Sequence, residues 1–152
     1  MLLLDYVISK ENNMLKLTID NKPSQKDMDI IENGLTEYNK KKTGLHEPPS
    51  TNAVYIKDGD KIKGGVVFVC MKPWTYVKQL WVSEELRGTG YGAKLLAAAE
   101  YEARRQGSSK VMLDTFSFQA PEFYKKKGYT VISKIEGFPI NGAERYWLTK
   151  KL

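Results

Sequence analysis

A chain of 152 residues has the length of one compact domain, and 41% apolar residues suffice for its core. At this size roughly 70% of the unfolded surface is buried on folding, so neither disulfides nor a metal are needed for stability. The composition excludes a disordered tail, a collagen-like chain and a disulfide scaffold, while 24 basic against 18 acidic residues leave a net charge of +6 that favours an anionic partner.

Cys70 is the sole cysteine and His46 the sole histidine, so no intrachain disulfide and no Cys/His zinc cage can form. No metal is expected, and a reducing, cytoplasmic setting is. The first five residues lack a basic segment and their apolar run breaks at Asp5, so no signal peptide is expected. The longest apolar run, residues 66–71, falls far short of the ~20 residues of a spanning helix, so no membrane association is expected.

No repeat, low-complexity tract or linker interrupts the chain, which reads as one domain over residues 1–152. Strands are predicted over residues 2–9 and 14–19 around a polar turn. Ser24, with Asp27 three residues on, caps a helix that carries Met28, Ile31, Leu35 and Tyr38 at helical spacing and stops at Gly44. Three strands follow as a meander: residues 52–57, the Asp58-Gly59-Asp60 turn, residues 61–71, and residues 75–82. The near-continuous apolar run in the second predicts burial on both faces.

Beyond Val82 the period changes to 3.6. Gly92, Leu95, Leu96, Ala99 and Ala103 define an apolar stripe, with Lys94, Glu100, Glu102, Arg104 and Arg105 facing away and Gly107 as the stop. A strand over residues 110–115, a short helix over 121–127 opened by Pro121, and strands over 129–135 and 144–152 complete an α/β chain with a mixed sheet.

The informative stretch joins the strand ending at Val82 to the long helix through Arg87-Gly88-Thr89-Gly90-Tyr91-Gly92-Ala93. Alternate glycines strip side chains from one wall, and the helix start adds unpaired amides and the positive end of its dipole. A diphosphate suits such a turn. A dinucleotide fingerprint (Gly88, Gly90, Ala93, with Asp114 ending the next strand) is disfavoured for two reasons. Five residues separate Val82 from Gly88, and too little chain follows Asp114 for a second half. A P-loop fails because no Gly-Lys-Ser/Thr closes the turn.

The remaining pattern, Arg-x-x-Gly-x-Gly over residues 87–92, resembles the acetyl-CoA signature of the GNAT superfamily of N-acetyltransferases. The run Ala120-Pro121-Glu122-Phe123-Tyr124 through Gly128-Tyr129 resembles its second hallmark, and residues 113–121 are similar to those of a small bacterial subgroup. The resemblance covers roughly residues 14–152 and is strongest over 79–129. It implies a mixed, mostly antiparallel central sheet with two splayed central strands, flanked by helices. It implies that amides from Arg87 to Gly92, reaching Ala93, hold the pyrophosphate of acetyl-CoA, that Leu80, Trp81 and Val82 run beside the pantetheine arm, and that Tyr124 is the acid for the leaving thiolate. Ser117 stands where many members carry an asparagine that contacts the cofactor.

No glutamate marks residues 75–82, where several members carry a base; Asp114, Glu37, Glu47 and His46 are the candidates, and none is singled out. Cys70, inside the apolar run, reads as core. The expected activity is direct transfer of an acetyl group from acetyl-CoA to a primary amine of a small molecule or peptide in a ternary complex, without a metal. A homodimer is common in such folds. A non-catalytic CoA-binding module and, further off, a nucleic-acid-binding domain are the alternatives. The acceptor pocket is expected to draw on the first helix, residues 43–49 and 136–142, with Tyr38, Trp74, Tyr76 and Trp81 as candidate lining or ordinary core.

Overall fold

A computed structural model of the chain describes residues 7–10, 13–44 and 47–152. It divides into two compact units, Met1–Glu47 and Pro48–Leu152. The first holds an antiparallel hairpin, β1 (Val7–Lys10) and β2 (Asn13–Lys16), and the helix α1 (Gln25–Thr43). The expected first strand begins among residues outside those described, and the second stops at Lys16 rather than residue 19. Ser24 caps α1 as predicted: its Oγ accepts from the Asp27 N–H at 3.2 Å and donates to the Asp27 carboxylate at 2.6 Å, a device worth about 1 kcal/mol. Gly44, at φ 68°, closes the helix by donating its N–H to Lys40 O at 2.9 Å. Lys40, Lys41 and Lys42 occupy the last turn, where the helix dipole favours cations.

The second unit is a six-stranded sheet with two helices. Its strands are β3 (Ser50–Asp58), β4 (Lys61–Met71), β5 (Trp74–Val82), β6 (Lys110–Phe116), β7 (Thr130–Glu136) and β8 (Glu144–Lys151), in the order β3-β4-β5-β6-β8-β7. Helix α2 (Tyr91–Arg105) crosses from β5 to β6, and α3 (Pro121–Lys126) follows β6. Neighbours are antiparallel except β5 and β6. Parallel pairing there is what the crossover helix makes possible.

One face of the sheet carries the core of this unit. Val66 and Phe68 of β4, Val111 and Leu113 of β6 and Leu148 of β8 are buried against Leu95, Leu96, Ala99 and Ala103 of α2. Each such large side chain contributes ~1.5–3 kcal/mol. The expectation that β4 is buried on both faces is corrected: Gly64, Val66, Phe68 and Cys70 are buried, whereas Gly65, Val67 and Val69 are only half-buried. Valine at both parities reflects strand propensity as well as burial. Glu100 is a second correction. It is 7% exposed, not on the polar face of α2. Its carboxylate accepts from Lys150 Nζ at 2.8 and 2.9 Å and from the Tyr129 hydroxyl at 3.0 Å, tying α2 to β8.

Candidate active site

The site begins with a miscount between two strands. Val67 of β4 pairs with Gln79 of β5, but the next residue, Phe68, pairs with Val77, so Lys78 is an extra residue in β5. A bulge of this kind bends the strand and increases its twist. The β5–β6 ladder runs from Trp74–Lys110 to Val77–Leu113 and ends there. Beyond Lys78 the two strands separate into a V, and the edge of β5 that faces β6 has no strand partner. The bulge also resets the alternation: Thr75 and Val77 are buried before it, and Leu80 and Val82 pack against the same core after it. The polar pair Lys78-Gln79 between apolar residues of odd and then even number is the sequence signal for the bulge.

From Val82 the chain passes through a 3₁₀ turn (Glu84–Leu86) into the glycine loop, which is why five residues intervene before Gly88. Gly88 and Gly90 have φ of 75° and 89°, a left-handed backbone that disfavours any side chain, with no atom within 4 Å of a Cβ at either. Gly90 opens α2, and the first helical hydrogen bond is Lys94 N–H to Gly90 O at 3.1 Å. Tyr91, Gly92 and Ala93 form the first turn, whose N–H groups have no intrahelical acceptor. Thr89 Oγ1 is engaged, donating to Leu86 O at 2.6 Å.

A cleft of about 840 Å³ occupies the V, lined among others by Lys78, Leu80, Trp81, Arg87, Asp114 and Tyr124. Tyr124 enters from α3, 8% exposed, its ring edge-on to Phe123 at 5.0 Å and to Tyr129 at 5.9 Å. Burial first, and the Asp114 charge second, push its hydroxyl up to about 12, so it is a protonated donor at neutral pH. Asp114 Oδ1 accepts from the Tyr76 hydroxyl at 2.6 Å and Oδ2 from Arg145 Nε at 2.7 Å.

Other predicted site residues fall differently. The Arg87 main-chain N–H donates to Glu84 O at 3.1 Å and its Nε to Val82 O at 3.3 Å, so both are engaged within the turn. Ser117 exchanges hydrogen bonds with Glu144: its N–H donates to Glu144 O at 2.8 Å and its Oγ accepts from Glu144 N–H at 3.1 Å. That pair ties the end of β6 to β8, and Gln119, not Ser117, lines the cleft. Among the base candidates His46 lies outside the described residues, Glu37 pairs with Lys40 at 2.8 Å within α1, and Glu47 ends the first unit. Of the three candidates among the described residues, Asp114 lines the cleft. Cys70 is buried, its sulfur 3.3 Å from the Thr75 hydroxyl. Among the described residues no cluster of metal-ligating side chains forms, and no helix is long and apolar enough to cross a membrane. Sequence reasoning missed Arg145 and Tyr76 as partners of Asp114, because residues 31 and 38 positions apart share no local period.

The profile of the acetyltransferase (GNAT) family matches residues 12–129. An acetyltransferase of Agrobacterium fabrum is 34% identical over 121 residues, covering 80% of this chain and 88% of that protein. The blasticidin-S acetyltransferase of Streptomyces morookaense is 37% identical over 93 residues, covering 60% of this chain and 68% of that one. A crystal structure of an acetyltransferase from Bacillus cereus ATCC 14579 aligns with a TM-score of 0.78 at 32% identity, over 89% of this chain and 98% of the other. A family profile that matches most of the chain and relatives that align over most of its length agree, and the chain belongs to the GNAT family of N-acetyltransferases, enzymes whose acetyl donor is acetyl-CoA.

Proposed function

We propose that this enzyme passes the acetyl group of acetyl-CoA directly to a primary amine, with both substrates bound together. The first-turn amides of α2 and the Gly88–Gly90 turn hold the pyrophosphate, aided by the helix dipole. The pantetheine arm lies in the V, its amides pairing with the free edge of β5 beside Leu80, Trp81 and Val82. The thioester is already activated, so alignment of the two reactants supplies much of the acceleration. A main-chain N–H of β5 donates to the thioester oxygen as negative charge grows there. Tyr124 gives its proton to the departing sulfur.

The observation that carries this reading is the end of the β5–β6 ladder at Val77–Leu113, with Tyr124 in the gap that it opens. Small amines rank ahead of peptides because a relative sharing 37% identity is named for a small molecule, blasticidin S. Purified protein is to be titrated calorimetrically with acetyl-CoA, then assayed for thiol release with blasticidin S, spermidine, phenylethylamine and a lysine-bearing peptide. Binding of acetyl-CoA with amine-dependent thiol release is expected. No heat of binding to the folded protein overturns the loop assignment, and binding without release from any amine overturns the acceptor class.

A further inference from the structure

We propose that Asp114 accepts the proton of the attacking amine, an assignment that rests on the reading of the cleft given above. Among the described residues lining the cleft it is the one carboxylate; the other titratable side chains there are Lys78, Arg87 and the phenols Tyr55 and Tyr124. None of those is an anion at neutral pH.

Strand alternation fixes the side from which Asp114 acts. Its neighbours Leu113 and Thr115 are buried on the face that α2 and α3 cover, so Asp114 projects from the opposite face. Tyr124 arrives from α3 on the covered face. Both line one cleft because that cleft passes between the separated strands. Asp114 is also the first residue of β6 beyond the last β5–β6 pair. A thioester held in the V therefore has the phenol on one side and the carboxylate on the other. An amine approaching from the Asp114 side meets the base as it meets the carbonyl carbon.

The carboxylate is fixed in that position. Each oxygen accepts one hydrogen bond, from Tyr76 of β5 and Arg145 of β8, and each keeps a second lone pair for substrate. Arg145 is itself caged, its guanidinium 5.0 Å from the Trp147 ring centre and 5.6 Å from those of Phe116 and Phe138. Tyr76 stacks on Trp147 at 6.2 Å. Arg145 and Lys78 outnumber the Asp114 carboxylate, which disfavours a third cation there, and direct attack needs the lone pair of the neutral amine.

In the step itself the nitrogen lone pair forms the C–N bond and the carbonyl pair moves to oxygen. The N–H proton, made acidic by the new bond, passes to Asp114. The carbonyl reforms, the C–S bond breaks and sulfur takes the Tyr124 proton. Asp114 returns its proton to solvent as Tyr124 regains one, leaving amide and thiol.

The test uses the full chain and the panel amine that the wild type turns over fastest. Asp114→Asn is expected to lower kcat at least 100-fold with the acetyl-CoA Kd within twofold, as read by calorimetry. Tyr76→Phe, nearly isosteric, removes one of the two hydrogen bonds that hold the carboxylate in place and is expected to lower kcat roughly tenfold with the acetyl-CoA Kd within twofold. A purely structural Asp114 leaves kcat of the folded variant in place. Retention of a third or more of kcat in Asp114→Asn, or an unchanged kcat in Tyr76→Phe, overturns the assignment. If Asp114→Asn does not fold, kcat of Tyr76→Phe decides alone. Loss of acetyl-CoA binding by the wild type instead removes the underlying reading of the loop.

Discussion

Gly92→Ala separates what the glycine loop does for the fold from what it does for acetyl-CoA. A Cβ at Gly92 stands 3.7 Å from the Phe123 ring and 4.0 Å from Leu80 Cδ2, ordinary contact distances, and φ there is not left-handed. Alanine therefore fits the folded chain. As the second residue of α2 it replaces glycine with a better helix former, a gain of up to about 1 kcal/mol and a Tm rise of roughly 2–4 °C. Toward the donor the effect has the opposite sign. The methyl stands between Leu80 of β5 and Phe123 of α3, beside the first-turn amides, where the proposed reading brings the pyrophosphate close. Loss of one charge-assisted hydrogen bond costs about 1.5–3 kcal/mol, which weakens acetyl-CoA binding roughly 10- to 150-fold. A thermal melt and a calorimetric titration on one preparation read both numbers. Gly90→Ala is the contrast: at φ 89° a side chain costs about 1–2 kcal/mol, so stability and affinity fall together. A Gly92→Ala protein that is more stable and binds acetyl-CoA within twofold of the wild type refutes the pyrophosphate assignment.

Tyr124→Phe is expected to lower kcat by about 100-fold or more while the acetyl-CoA Kd stays put; equal losses in both point to a packing role instead. Because burial pushes the Tyr124 hydroxyl up to about 12, wild-type kcat is expected to show no alkaline fall between pH 8 and roughly 10 from this group. Burial and the Asp114 hydrogen bond push Tyr76 up to about 12 as well. Both phenols hold their proton more tightly folded than unfolded. The stability they supply is complete below about pH 10 and is lost as pH rises through about 12, by up to ~1.4 kcal/mol per pH unit for the buried Tyr124 and by less for the more solvent-screened Tyr76. Urea unfolding at stepped pH reads the slope, and Tyr124→Phe is expected to lessen it. Lys150→Ala leaves the buried Glu100 carboxylate with the Tyr129 hydroxyl as its one remaining partner of the two and is expected to destabilise by about 3 kcal/mol. A change under 1 kcal/mol in denaturant unfolding argues that Glu100 is solvated.

Elements that carry a local pattern were legible in the residues. The Ser24 cap, the Gly59 turn and the stripe at Leu95, Leu96, Ala99 and Ala103 each announce themselves within a few positions, because capping, turn geometry and helical period are short-range. Glu100 was misplaced for the converse reason. It lies four residues from Leu96 and three from Ala103, on the buried side by spacing alone, but its charge reads as exposed. The partners that make burial tolerable, Lys150 and Tyr129, lie 50 and 29 residues away. Ser117 and Asp114 show the same limit at the site. The Ser117 hydroxyl is tied to Glu144, linking β6 to β8, and of the three candidate carboxylates Asp114 is drawn into the cleft by the pairing of β5, β6 and β8; neither contact has a local signal.

The bulge at Lys78 joins fold and chemistry in a single residue. Without an extra residue there, Leu80 and Val82 take the parity opposite to Thr75 and Val77, and side chains that now pack on the core turn to the other face. Relative to full burial, two such side chains amount to about 3–6 kcal/mol, an upper figure here because both are only partly buried. Core packing therefore favours keeping the bulge even in an empty enzyme. The same irregularity bends β5 away from β6 after Val77, and the resulting gap accounts for the free strand edge, the opposed Tyr124 and Asp114 and the passage between faces. An open V would otherwise zip shut, since unpaired strand edges readily take up hydrogen-bonding partners. Here closing it requires expelling Leu80 and Val82 from the core, so the packing that stabilises the domain also holds the cleft open.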